Sequence, residues 1–149
     1  MPDATAGEVL ASLAESGARQ LVSAMDLVEA GATPTPQPAE GVTLAAKITV
    51  DDARLDFRRG AAELRNQVMG CSPDPGAWCE LDGQRFKVFR ARVGGPEGLA
   101  PGELAATKRE LFVGTGDGAV ELLEVQAPGK RRMPAVDWAR GGVSGKRLA

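Results

Sequence analysis

Ser72-Pro73-Asp74-Pro75-Gly76 limits the possible folds more than any other stretch of the chain. Each proline removes a backbone donor and disfavours the α conformation in the residue before it, so no helix continues across this segment. The sequence obeys different periods on its two sides. Upstream, Gly60 to Met69 puts Ala61, Leu64 and Val68 on one face and Glu63, Arg65 and Gln67 outward, which predicts a helix. Downstream, apolar residues come in short runs of strand length separated by glycine turns.

Trp78 to Leu81, then Asp82-Gly83, then Arg85 to Val93 is a hairpin signal, because an Asp-Gly pair suits a type I′ turn whose twist matches paired strands. Phe86 and Val88 alternate with Arg85 and Lys87, but Phe89 breaks the phase, which predicts a β-bulge or a barrel corner near Val88-Phe89. Leu104 to Thr107, Glu110 to Val113 and Val120 to Gln126 read as further strands. Gly114-Thr115-Gly116-Asp117-Gly118 reads as a hairpin turn rather than a phosphate-cradling loop, since a strand and not a helix follows it. Pro134 to Arg140 suits a short final helix with Trp138 facing the barrel. The fold class expected is mainly β with flanking helices, α+β: a small OB-like barrel preceded by short helices and a Pro-rich linker.

At the amino-terminal end, Val9, Leu10, Leu13, Leu21, Val22, Met25 and Val28 recur at helical spacing, with Ser16-Gly17 dividing them into two short helices. This narrow apolar stripe has no hydrophobic partner within its own segment. Pro34, Pro36 and Pro38 then favour an extended, stiff spacer. The expected layout is a helical segment at 1–31, a linker at 32–43 and the barrel domain at 44–149. Ile48 to Val50 is a short extended run leading into an acidic turn at Asp51, Asp52 and Asp56.

No histidine occurs among the 149 residues, which excludes Ser-His-Asp and Cys-His nucleophile systems and nearly every common zinc or non-haem iron site. Cys71 and Cys79 match neither a redox pair nor a zinc knuckle and read as small buried apolar residues. The acidic residues at 51, 52 and 56 read as a turn, because hard-metal sites need carboxylates converging from separate elements. No catalytic residue and no metal ligand is expected. No apolar run approaches the ~20 residues of a membrane helix, and Asp3 and Glu8 stand where a signal peptide would carry cations, so a cytoplasmic protein without membrane association is expected, and a monomer is the expected state.

The net charge of −2 conceals an asymmetry. Before Gly41 the chain carries Asp3, Glu8, Glu15, Asp26, Glu29 and Glu40 against Arg19 alone; from Lys130 onward, Asp137 faces Lys130, Arg131, Arg132, Arg140, Lys146 and Arg147. Binding follows local potential within a Debye length of ~8–10 Å, so an acidic total does not argue against a polyanionic partner. Val120 to Gln126 breaks at Ala127-Pro128-Gly129 and delivers Lys130, Arg131 and Arg132 to the end of a sheet. With Lys47, Arg85, Lys87, Arg90 and Arg92 they make eight candidate nucleic-acid contacts on strands and strand ends, Arg90 and Arg92 sharing an outward face with no acid between them. Phe86, Phe89 and Phe112 are plausible core, so base stacking is disfavoured and backbone contact with a folded RNA fits better.

Pro73-Asp-Pro-Gly-Ala-Trp78, Leu81-Asp-Gly83, Lys87-Val88, Val113-Gly-Thr-Gly-Asp-Gly118 and Gln126-Ala-Pro-Gly-Lys-Arg-Arg-Met133 together resemble the C-terminal domain of bacterial methionyl-tRNA formyltransferases, from about Leu44 to Arg140. Gly7-Glu8-Val9-Leu10 through Gly31 resembles the end of that family's catalytic domain. The resemblance implies transfer of a formyl group from 10-formyltetrahydrofolate to initiator methionyl-tRNA. A Rossmann-like N-terminal domain would hold the folate and an Asn-His-Asp catalytic set, while the barrel and linker would bind tRNA. The chain departs from the pattern in having no histidine, so no catalytic residue carries over, and in Met69, where the family tends to show arginine. The resemblance therefore implies initiator-tRNA binding without catalysis and without a cofactor bound by this chain. An accessory barrel with a structural role, as in related formyltransferases, is the alternative reading.

Overall fold

The computed structural model describes residues 3–143 and 145–149. Its elements run α1 (Ala6–Glu29), α2 (Ala61–Cys71), β1 (Ala77–Leu81), β2 (Gln84–Val93), β3 (Leu104–Ala106), β4 (Leu111–Gly114), β5 (Ala119–Gln126), β6 (Met133–Pro134) and α3 (Ala135–Ala139). The contacts divide the chain into two units, one spanning Gly7–Lys47 and the other joining the segment through Ala6 to Ile48–Ala149.

In the smaller unit α1 is one continuous helix of 24 residues, not the two expected. The Ser16 hydroxyl donates back to Leu13 O at 3.1 Å, so it serves the helix rather than capping a new one. A single Gly17 costs only about 1 kcal/mol in a helix interior. No residue of α1 is buried, and Leu10, Leu13, Leu21, Val22 and Met25 are exposed.

The larger unit is an antiparallel sheet in the order β1-β2-β5-β4-β3, with β6 also paired to β5. The bulge expected near Val88-Phe89 is present: Val88 stands opposite Val125, Arg90 opposite Glu124 and Ala91 opposite Leu122. The α2 face of Ala61, Leu64, Val68 and Cys71 packs with Phe86, Val88, Val120, Leu122 and Val125 in one core. Trp138 of α3 closes on it, its ring 4.7 Å from Phe86.

The barrel expectation needs correction. The sheet is open, since its path ends at β1 and β3. Among the described residues β3 does not pair with β1; single bridges join Leu148 to Leu81 on one side and Arg147 to Glu103 on the other. Leu148 N donates to Gly102 O at 2.9 Å and Ala149 N to Glu80 O at 2.9 Å. The Ile48–Val50 run pairs with no strand of the sheet. The chain meets β1 at Arg54 instead, where Trp78 N donates to Ala53 O and Leu55 N to Trp78 O.

The Gly114–Gly118 segment is the expected hairpin turn, with Thr115 N donating to Gly118 O at 2.8 Å. It has a second task. Asp117 Oδ1 accepts from Ala61 N at 2.7 Å, which caps α2 from a distant loop. Gly116 N donates to Arg59 O at 2.9 Å, and a Cβ at Gly116 would lie 2.1 Å from Arg58 O. The turn therefore clamps the start of α2 onto the sheet.

Asp117→Ala should cost about 1 kcal/mol in urea unfolding, the usual value of a lost N-cap, and Gly116→Ala should cost at least as much. Gly102 has φ +81 and its Cβ would lie 2.1 Å from Leu148 O, so Gly102→Ala should lower stability and speed hydrogen exchange at the Leu148 and Ala149 amides.

Candidate nucleic-acid interface

Register decides which of the predicted cations are available. On β2, Arg92 stands opposite Glu121 of β5. Its Nε and Nη2 donate to Glu121 Oε2 at 3.0 and 2.5 Å, and this carboxylate raises the Arg92 pKa above its ordinary value. Glu121 is only 7% exposed. Drawing Arg92 away to a phosphate would leave a nearly buried carboxylate unpaired, a penalty of about 1–3 kcal/mol or more. Arg132 is held similarly: its guanidinium pairs with Glu124 and lies 4.3 Å from the centre of the Phe89 ring. Arg90, opposite Glu124 in the register, donates from Nη1 to Asp3 O at 3.2 Å. The outward face of Arg90 and Arg92 is thus lined with acids, contrary to the sequence expectation. Those acids come from β5, and only the strand register brings them there.

The other candidates gather at one end of the sheet. Lys87 stands opposite Gln126, so Arg85, two residues before Lys87, reaches the same end as the turn that follows Gln126. Arg85 is exposed and stacks on Trp78, 4.4 Å from the ring centre, while the nearby Glu80 is taken by Arg54 at 3.1 Å. Lys87 is half-buried and donates to Pro75 O at 3.1 Å. The turn itself is closed by Lys130 N donating to Ala127 O at 3.0 Å and by Gln126 Nε2 donating to Lys130 O at 3.0 Å. Lys130 and Arg131 are exposed, with no ion pair among the described residues. Lys47 is exposed and belongs to the smaller unit.

The other chemistry is structural. Asp52 accepts from Thr49 N at 2.8 Å and from Thr49 Oγ1 at 2.7 Å, which lowers its pKa. Asp56 binds Arg58 through both oxygens and is lowered to about 2. Cys71 and Cys79 are buried free thiols, and desolvation raises the pKa of each. Among the described residues no helix is long and apolar enough to cross a membrane.

Comparison with known proteins places this geometry in a family. Residues 47–142 match the family described as formyl transferase, C-terminal domain. A methionyl-tRNA formyltransferase of Cutibacterium acnes is 49% identical over 148 residues, covering 94% of this chain and 47% of the relative. One from Streptomyces coelicolor is 52% identical over 143 residues, covering 94% and 46%. The chain thus spans about half the length of the curated relatives it matches. A crystal structure of HypX from Aquifex aeolicus superposes on 95% of this chain, and 27% of that one, with TM-score 0.73 at 22% identity. A complex of HypX with tetrahydrofolic acid superposes on 84% of this chain, and 23% of that one, with TM-score 0.66. The HypX likeness shows the fold, while the family match and the two relatives show that this chain belongs to the formyltransferase C-terminal domain family, beside proteins named methionyl-tRNA formyltransferase.

Proposed function

We propose that this chain is the tRNA-binding part of a methionyl-tRNA formyltransferase. Its sheet end at Arg85, Lys87, Lys130 and Arg131 would contact the sugar-phosphate backbone of initiator tRNA. The observation that carries this reading is the gathering of cations from two separate strands at one end, while Arg92 and Arg132 are held by Glu121 and Glu124. Backbone contact suits a surface with cations and little exposed aromatic area, because A-form RNA is recognised mostly by shape and by its phosphates and 2′-hydroxyls. In the whole protein, 1–31 would be the last helical part of a Rossmann-like catalytic domain and 32–43 the spacer that sets its distance from the 44–149 domain. The protein would act in the cytoplasm, at translation initiation, as a monomer.

The residues of this chain do not fit the formyl donor, 10-formyltetrahydrofolate. A cleft of about 700 Å³ is lined by Arg54, Asp56, Arg58 and Arg147 among others. Asp56, the one side-chain carboxylate there, is tied to Arg58 and too weak a base to take a proton from an ammonium group. No step of the transfer is assigned to these residues. They would position the tRNA acceptor for chemistry performed by the other half of the protein.

Two measurements test this reading. In filter binding of initiator tRNA, Lys130→Ala with Arg131→Ala should weaken affinity about tenfold near 0.1 M salt and reduce the log–log salt slope by about 1.5–2, as expected for two lost phosphate contacts. Unchanged affinity and slope would remove the assigned role. Arg92→Ala should lower the thermal midpoint, because Glu121 loses its partner, yet leave tRNA affinity within about twofold. No RNA binding at low salt, together with tight association to a separate Rossmann-like domain, would favour an accessory, structural barrel.

A further inference from the structure

Lys108 and Arg109 lie on the turn between β3 and β4 and belong to none of the contacts described so far. Both are exposed, and neither makes an ion pair among the described residues. Their backbone is fixed. Thr107 N donates to Glu110 O at 2.9 Å, and Thr107 Oγ1 accepts from the amides of Arg109 and Glu110 at 3.1 and 3.0 Å. Glu110, the acid of the turn, is half-buried; its carboxylate takes the Thr107 hydroxyl at 3.4 Å and bears electrostatically on Arg92. The turn thus holds two cations out to solvent without spending them on a local carboxylate.

The sheet topology sets where this turn lies. β4 pairs with β5 from Gly114↔Ala119 to Leu111↔Leu122 and stops there. The next part of the same β5 edge, Glu124 and Val125, is occupied by β6 through Pro134 and Met133. Residues 107–110 therefore leave the sheet where β6 enters it, and β6 is reached directly from Lys130, Arg131 and Arg132. β6 carries the chain from the Lys130–Arg132 turn beyond Gln126 to Pro134 beside the 107–110 turn, so the two cationic turns lie on the same β5 edge, offset along it by the length of β6.

We infer that Lys108 and Arg109 are a second backbone contact for the same RNA, extending the cationic end of the sheet from the β5–β6 turn to the β3–β4 turn. This inference rests on the tRNA-binding reading above. A ligand touching both turns must be a continuous polyanion rather than an isolated phosphate, because the cations are carried by separate hairpins with the β6 entry between them.

The test uses the whole chain with each turn neutralised separately, Lys108→Gln with Arg109→Gln and Lys130→Gln with Arg131→Gln. Initiator tRNA and the single phosphate of AMP serve as probes across a salt series. Because the turn is held by Thr107 and backbone groups, the 108/109 variant should keep its thermal midpoint. It should lose about tenfold in tRNA affinity near 0.1 M salt and reduce the slope by about 1.5–2, with no change toward AMP. If the 130/131 variant loses tRNA affinity and the 108/109 variant does not, the second contact is wrong and the first stands. If neither loses affinity, both are wrong. A 108/109 loss accompanied by an equal loss toward AMP would overturn the extended-polyanion assignment.

Discussion

The pairing of β2 with β5 is the interaction on which the rest of this domain depends. It joins the β1–β2 hairpin to the β3–β4–β5 meander, and its inner side supplies Phe86, Val88, Val120, Leu122 and Val125 to the core under α2. The irregular register between Val88 and Ala91 bends the long β2 strand while keeping both inner and outer faces in phase on either side of it. That same register sets Arg92 against Glu121 and Arg90 against Glu124. A one-residue slip would turn the core residues outward and separate these pairs at once.

The electrostatic character of the surface follows from this pairing more than from the number of cations. Arg92 pairs with Glu121 and Arg132 with Glu124, and Glu121 is too well buried to release its arginine cheaply. At the end where β2 begins and β5 finishes, Glu80 is taken by Arg54 and the strands give way to turns. Arg85, Lys130 and Arg131 are left facing water, with Lys87 beside them tied only to a carbonyl. A chain whose net charge is −2 thereby presents a local cationic end, which is what a polyanion senses at physiological ionic strength.

Much of this was legible in the sequence. The strands, their turns, the β2 bulge and the α2 face all follow from local period and turn chemistry, and the bulge was visible because Phe89 breaks an otherwise regular alternation. What escaped depends on contacts between distant positions. Nothing local to Asp117 announces that it caps a helix 56 positions away, and nothing near Arg92 announces Glu121. The gap between β1 and β3 was equally hidden, since single bridges to Leu148 and Arg147 leave no strand-like period. Ser16-Gly17 misled in the opposite direction, because a residue pair that could end a helix was absorbed by one of 24 residues. Of the candidate site, residue types were readable and availability was not; availability required the register.

The central claim is that RNA approaches the end of the sheet formed by the start of β2 and the β5–β6 turn. Backbone amide NMR of the labelled chain titrated with initiator tRNA tests it most directly. The account predicts that resonances of Arg85, Lys87, Lys130 and Arg131 shift or broaden first, while Val93, Ala119 and Val120 at the opposite end of β2 and β5 stay unchanged. Perturbation centred on Val93 and the Gly114–Gly118 turn, with the Lys130 region silent, would contradict it.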